Sequence, residues 1–162
     1  ESWPIFGFLA KKGRSIFIRR NKTDSFTQKN KILGMLSSGE KIFIFPEGTT
    51  SDGNGILNFK SSMLECAFDD SKQINIQPIS ICYSKLNNIP MGIYLRRNIA
   101  WVGDIPMVAA MANFLRSGRI TVDVIFHELM SINNFKNRKE LAMHCENQIL
   151  SGLNQTLKNY LK

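Results

Sequence analysis

Apolar positions along the chain switch repeatedly between the two-residue spacing of strands and the three-to-four-residue spacing of helices. Ser15 to Arg19, with Ile16, Phe17 and Ile18, predicts a short strand. Asp24 is placed to cap a helix whose Ile32, Leu33 and Leu36 share a face, and Gly39 stops it. Lys41 to Phe45 predicts a second strand, which runs directly into the turn-forming string Pro46 to Ser51. Ser61 to Asp69 predicts a short helix, and Ile74 to Tyr83 a strand interrupted by Pro78, which cannot donate to a ladder. Further on, Ile99 to Val102 predicts a strand, Pro106 to Arg116 a helix opened by proline, and Ile120 to Phe126 a β-branched strand. From Arg138 to Leu161, apolar residues recur at Leu141, Cys145, Ile149, Leu153, Leu157 and Leu161, the stripe of a terminal helix packed on a sheet, with Gly152 its weak point. No internal repeat or low-complexity linker appears, so the pattern predicts one α/β domain over residues 1–162.

Composition narrows the partners. The chain has 162 residues, 43% hydrophobic and 21% charged, and carries a net charge of +8. That excess favours an anionic partner, which charge alone leaves open between nucleic acid, an acidic membrane surface and a phosphorylated substrate. The chain contains no aromatic-rich RNA-binding string, no GXXG clamp and no zinc-finger spacing, so nucleic acid is not expected. Cys66, Cys82 and Cys145 are odd in number and widely spaced, a pattern of small core residues rather than of a disulfide framework or metal site. No uninterrupted apolar run is long enough to cross a bilayer, so contact with a membrane would be along its surface. Trp3, Phe6, Phe8 and Leu9 followed by Lys11, Lys12 and Arg14 combine apolar and basic character. They suit either docking on anionic lipid or filling a core.

The most informative string is Phe45-Pro46-Glu47-Gly48-Thr49-Thr50-Ser51, which sets a carboxylate and three hydroxyls at a predicted strand end. Pro46 stiffens such a turn, Gly48 lets a ligand approach the backbone, and Glu47 accepts hydrogen bonds. A helix-capping turn has a similar composition, so the residues alone leave both readings open. The string resembles the FPEGTRS block of the PlsC-like glycerolipid acyltransferase family. Gly13-Arg14-Ser15-Ile16-Phe17-Ile18-Arg19-Arg20 resembles that family's GxxFIxR block, with one extra residue before Phe17, and Ile76-Gln77-Pro78-Ile79-Ser80 its apolar-Pro-apolar block. The blocks occur in the family's order.

The resemblance implies a mixed β-sheet surrounded by helices, glycerol-3-phosphate acyltransferase-like and lacking its N-terminal part. It implies transfer of a fatty acyl group from acyl-CoA or acyl carrier protein to the free hydroxyl of a lysophospholipid, foremost 1-acyl-sn-glycerol-3-phosphate, at the cytoplasmic face of a membrane with an anionic surface. No cofactor or metal is implied. Arg20, Pro46, Glu47, Gly48, Thr49 and Pro78 are the implied substrate-binding residues. Arg19, Thr50, Ser51 and Lys60 are weaker candidates, Lys60 being either a donor-phosphate ligand or a solvated lysine.

Two departures matter. Thr50 stands where the commonest pattern has arginine, which shifts phosphate binding onto Arg20, whose guanidinium fork suits it. Threonine there also resembles lyso-ornithine-lipid acyltransferases, whose acceptor has no phosphate. The family's His-x4-Asp block, in which histidine is the general base, is absent: the chain's histidines, His127 and His144, are followed five positions later by Ile132 and Ile149. Both histidines read as structural or surface residues, and no catalytic residue is assigned. Because Glu1 opens on a packed-looking Trp-Pro segment, N-terminal truncation is expected, with the isolated chain inactive. A lipid-surface binding protein without catalysis is the remaining reading.

Overall fold

The computed structural model describes residues 12–13, 22–68 and 74–160. The chain divides into two compact units, Glu1–Phe43 and Ile44–Lys162.

In the first unit the described helix α1, Lys22–Ser37, takes in Asp24, which lies within the helix rather than ahead of it as a cap. Ile32, Leu33, Met35 and Leu36 are half-buried along the described part of its surface. The predicted stop holds in detail: Gly39 has φ +79°, its N–H donates to Leu36 O at 3.1 Å, and Glu40 N–H donates to Met35 O at 3.1 Å. Those paired bonds close a Schellman turn around a left-handed residue that only glycine adopts without strain. The predicted strand at Ser15 to Arg19 lies outside the described residues.

The predicted strand at Lys41 to Phe45 does not form. The segment keeps a strand's alternation, with Ile42 and Ile44 half-buried and Lys41, Phe43 and Phe45 exposed, but no strand pairs with it among the described residues. Alternation orders side chains; a ladder partner is what makes a strand.

The second unit begins with Ile44 and holds a 3₁₀ helix at Ser61–Phe68 in place of the predicted short helix. β1 is Asn75–Ile76 and β2 Ile79–Leu86, separated by Gln77 and Pro78 as the proline predicts. The break divides the pair between two sheets, β1 with β5 (Met130–Ser131), and β2 with β3 (Ile89–Pro90) and β4 (Ile120–Phe126) in the order β3-β2-β4. Every pairing described is antiparallel. Asn87 and Asn88, with φ of 49° and 68°, form the two-residue turn between β2 and β3. This hairpin is absent from the sequence expectation, although Asn-Asn is a signal for a turn of this hand. Helices α2 (Ile93–Ile99) and α3 (Met107–Arg116) follow, and α4 spans Arg138–Tyr160. The strand expected at Ile99 to Val102 does not exist: Ile99 is the buried last residue of α2, and Ala100 N–H donates to Arg96 O. Helical bonding at Ala100 outcompetes the apolar run.

Leu64, Ala67, Ile132, Leu141, Ala142 and Cys145 form the core, with Ile44, Phe59, Ile74 and Phe135 among the residues packed against it. Leu141 is fully buried, a burial that contributes about 1.5–3 kcal/mol. All three cysteines are buried thiols, none in a disulfide, and burial raises the Cys145 thiol to about 11.

α4 packs on β2 through small residues. Ser80, Cys82 and Ser84 are the buried side of β2, and Gly152 is the matching position on the helix. The Ser80 hydroxyl donates to Ile149 O at 2.9 Å and lies 2.7 Å from His127 Nε2. A hydroxyl has one proton, so His127 Nε2 is the donor in that second bond. Gly152 is therefore a close-approach site and not a weak point. A Cβ there would fall 2.6 Å from Ser80 Oγ and 2.8 Å from the His127 ring. Gly152→Ala is expected to lower stability by about 1–3 kcal/mol through overpacking, despite alanine's roughly 1 kcal/mol advantage in a helix. Urea unfolding measures it, and a raised midpoint would show that the contact relaxes.

Candidate functional site

The string singled out from sequence opens a loop, 46–60, built entirely within the second unit. Gly48, at φ +68°, turns the chain so that its N–H donates to Phe45 O at 3.1 Å. Lys60 N–H donates to Pro46 O at 2.8 Å and closes the loop at its base. The Glu47 carboxylate crosses the loop, Oε2 accepting from Leu57 N–H at 2.7 Å. Phe59 N–H is taken by Glu146 of α4 at 2.9 Å, which fixes the returning arm to the helix. Glu47 is thus a brace between the two arms, charge-assisted and so stronger than a neutral bond.

Lys60 is part of the same site. A Cβ on Gly48 would lie 2.7 Å from Lys60 Nζ, so the ammonium lies over the glycine, whose φ of +68° is what disfavours any other residue there. Gly48, Thr49, Thr50 and Lys60 are exposed, so this loop offers a cation and two hydroxyls to solvent. That arrangement can hold a carboxylate or phosphate oxygen.

The loop's tip is fastened elsewhere. Ser51 Oγ accepts from Gly53 N–H at 3.2 Å, and Asp52 Oδ1 from Asn54 N–H at 2.9 Å. Donation by the Asn54 backbone and side chain holds the Asp52 carboxyl below its usual range, with Arg97 and Arg96 assisting. Asn54 also donates from Nδ2 to Ile93 O at 3.2 Å. Its Oδ1 receives Arg96 Nη1 at 2.5 Å, while Arg96 Nε donates to Tyr83 O at 2.9 Å and Nη2 to Met91 O at 2.6 Å. Arg96, only 4% exposed, joins loop, strand and α2. Gly53, at φ +76°, is where the arginine stem passes, 3.0 Å from the position a Cβ would take.

The structure therefore brings Pro46, Glu47, Gly48 and Lys60 together and leaves Thr49 and Thr50 open beside them, whereas Ser51 serves the turn. Pro78 is buried in the bend between β1 and β2, its carbonyl taken by His127 N–H at 3.0 Å. It belongs to the sheet. Arg19 and Arg20 lie outside the described residues. His127 is bound to Ser80, and the His144 ring stacks obliquely 5.3 Å from Phe135. Sequence reasoning missed Arg96, Asn54 and Glu146. The Asp52-Gly53-Asn54-Gly55 string signals a turn, but nothing in it announces the arginine that holds it.

The family described as Acyltransferase matches residues 1–82. The lyso-ornithine lipid O-acyltransferase of Rhizobium meliloti is 38% identical over 98% of this chain and 56% of its own length. That of Brucella abortus is 34% identical over 97% of this chain and 61% of its own length. A 1-acyl-sn-glycerol-3-phosphate acyltransferase of Neisseria gonorrhoeae is 31% identical over 46% of this chain and 29% of its own length. The chain thus spans a little over half the length of the lyso-ornithine lipid relatives it matches. No solved structure matches it significantly.

Proposed function

We propose, since this chain belongs to the Acyltransferase family, that it carries the acceptor-binding part of a lysolipid O-acyltransferase whose preferred acceptor is lyso-ornithine lipid. The observation that carries the acceptor-binding role is the exposed cation of Lys60 lying over Gly48 in a loop braced by Glu47. An ornithine headgroup has a carboxylate and no phosphate, so a single exposed ammonium with hydroxyls beside it suits it better than a phosphate fork does. Similarity supports the same choice, because the relatives named for lyso-ornithine lipid match nearly the whole chain and those named for 1-acyl-sn-glycerol-3-phosphate match less than half. This reverses the order of acceptors that the block resemblance implies.

The donor in this reading is an acyl thioester, acyl-CoA or acyl carrier protein. The acceptor hydroxyl attacks the thioester carbonyl and expels the thiol, and the proton leaves to a general base. His127 is not assigned as that base, because its Nε2 is engaged by Ser80. This chain's residues position the acceptor, with Lys60, Gly48 and Thr49 at the headgroup. The enclosing fold is the mixed-sheet glycerol-3-phosphate acyltransferase type, acting at the cytoplasmic face of the membrane.

The test compares acylation of lyso-ornithine lipid and of 1-acylglycerol-3-phosphate by the full-length enzyme, with thiol release as the readout. A higher kcat/KM for lyso-ornithine lipid is expected, and Lys60→Ala should reduce it roughly tenfold, the equivalent of about 1.4 kcal/mol. Preference for the phosphate acceptor, untouched by Lys60→Ala, would reject the acceptor assignment.

A further inference from the structure

Leu86 and Ile120 are register partners across β2 and β4, and between them the segment 87–119 adds the edge strand β3 and then leaves the sheet until Ile120. The β2–β4 pairing itself needs neither of the helices that follow β3, and a shorter connection would serve it. What the chain inserts there is conspicuously apolar. In α3 only Asn113 and Arg116 are not apolar, yet none of its residues is buried. Tyr94 of α2 is 85% exposed and Leu115 of α3 73%. Val108 and Leu115 are seven residues apart and so lie on one face of α3, with Arg116 adjoining.

The half-buried side of α3 is Met107, Ala110, Met111, Ala112 and Phe114, while Val108 and Leu115 stay exposed, and contiguous exposed apolar surface marks a site of contact. The charges indicate the contact's chemistry. The segment's exposed basic residues are Arg97, Arg116 and Arg119, against the single acid Asp104. Arg97 is also the one charged residue lining an open depression of about 470 Å³ with Asn98, Val102 and Asn113 on its walls. Trp101 and Tyr94, both exposed, are the residue types that favour a lipid–water boundary.

We propose that the segment 87–119 is a membrane-docking element, which seats the apolar faces of α2 and α3 at the headgroup boundary of an anionic bilayer. The inference rests on the lysolipid reading above, because an acceptor that resides in a bilayer must be collected from it. Aliphatic side chains, interfacial aromatics and arginines with one opposing acid complement an anionic lipid surface. The element is also tied to the loop: Arg96, on α2, bonds Asn54 at the loop tip, and Asn54 bonds Ile93 O. Docking there sets the loop 46–60 next to the surface that supplies its acceptor.

The experiment is flotation with phosphatidylcholine vesicles, with and without phosphatidylglycerol, across a salt series. Tyr94→Asp with Leu115→Asp is expected to lower partition onto the anionic vesicles at least about tenfold, since apolar contact is replaced by charge repelled from the surface. Arg116→Ser with Arg119→Ser should lower it severalfold and flatten its salt dependence. All four positions are exposed, so both variants should keep the wild-type unfolding midpoint. With monomeric lyso-ornithine lipid below its micelle concentration, the same variants of the full-length enzyme should acylate at the wild-type rate. Unchanged partition for both variants would overturn the proposal. So would unchanged partition combined with lost retention on acidic acyl carrier protein, which would give the surface to a protein partner. Reduced partition in an enzyme that acylates neither lysolipid would leave the docking element standing and remove the proposed function instead.

Discussion

Arg96→Ala is expected to release the loop 46–60 and to cost about 3–5 kcal/mol of folding free energy, the range seen when a buried charged hydrogen-bonding partner is removed. The substitution leaves Tyr83 O, Met91 O and Asn54 Oδ1 without their donor. It also empties the space along Gly53, where the arginine stem lies against the backbone. Arg96→Lys keeps the charge but has no planar fork, so it can reach fewer of those acceptors and should recover only part of the loss. Asn54→Ala separates the two jobs of the arginine. It removes the bond to the loop and leaves those to Tyr83 and Met91, so it should cost about 1–2 kcal/mol globally. Denaturant unfolding gives the global figures. Cleavage of the folded protein within 46–60 by a nonspecific protease reports the loop, and should accelerate in Asn54→Ala far more than the stability change predicts. Equal protection of the loop in Asn54→Ala and wild type would mean that Arg96 serves the sheet alone.

The sequence displayed those elements whose signal is local. The helix stop at Gly39, the break at Pro78, the β-branched strand at Ile120–Phe126 and the stripe of α4 each follow from residues within a few positions of one another. Elements that depend on distant partners were misread. Lys41 to Phe45 has a strand's composition without a described partner, and Ile99 to Val102 has an apolar run whose first residue ends α2 and whose second caps it. Gly152 reads as a helix defect until Ser80 and His127 are seen to occupy the space beside it.

The same division applies to the site. The turn chemistry of Pro46 to Ser51 is written in consecutive residues, whereas its fastenings lie far along the chain, at Arg96 and at Glu146. A buried arginine bonded to two carbonyls and an amide leaves no paired carboxylate for sequence reasoning to find. Lys60 became a stronger candidate for a related reason: twelve positions separate it from Gly48, and only closure of the loop between Pro46 O and Lys60 N–H brings its ammonium over the glycine.

Glu47 offers the sharpest test of whether the loop acts through its shape or through a direct contact with substrate. In the full-length enzyme, Glu47→Ala removes a charge-assisted bond that spans the two arms, and such bonds contribute about 1.5–3 kcal/mol. Because Leu57 N–H loses its acceptor, the arms are expected to part and kcat to fall roughly tenfold to a hundredfold. Glu47→Gln behaves differently under this geometry. Its amide oxygen can still accept from Leu57 N–H, so the brace survives as a neutral bond worth about 0.5–1.5 kcal/mol, and kcat should stay within about tenfold of wild type. A carboxylate that instead bound the ornithine ammonium directly would tolerate neither change. The glutamine would then match the alanine, and the defect would sit in KM for lyso-ornithine lipid. Steady-state kinetics of both variants, beside protease cleavage of the loop, decide the matter. Rapid cleavage in Glu47→Ala with protection retained in Glu47→Gln is the result that a brace requires, and equal protection in both with equal loss of activity is the result that refutes it.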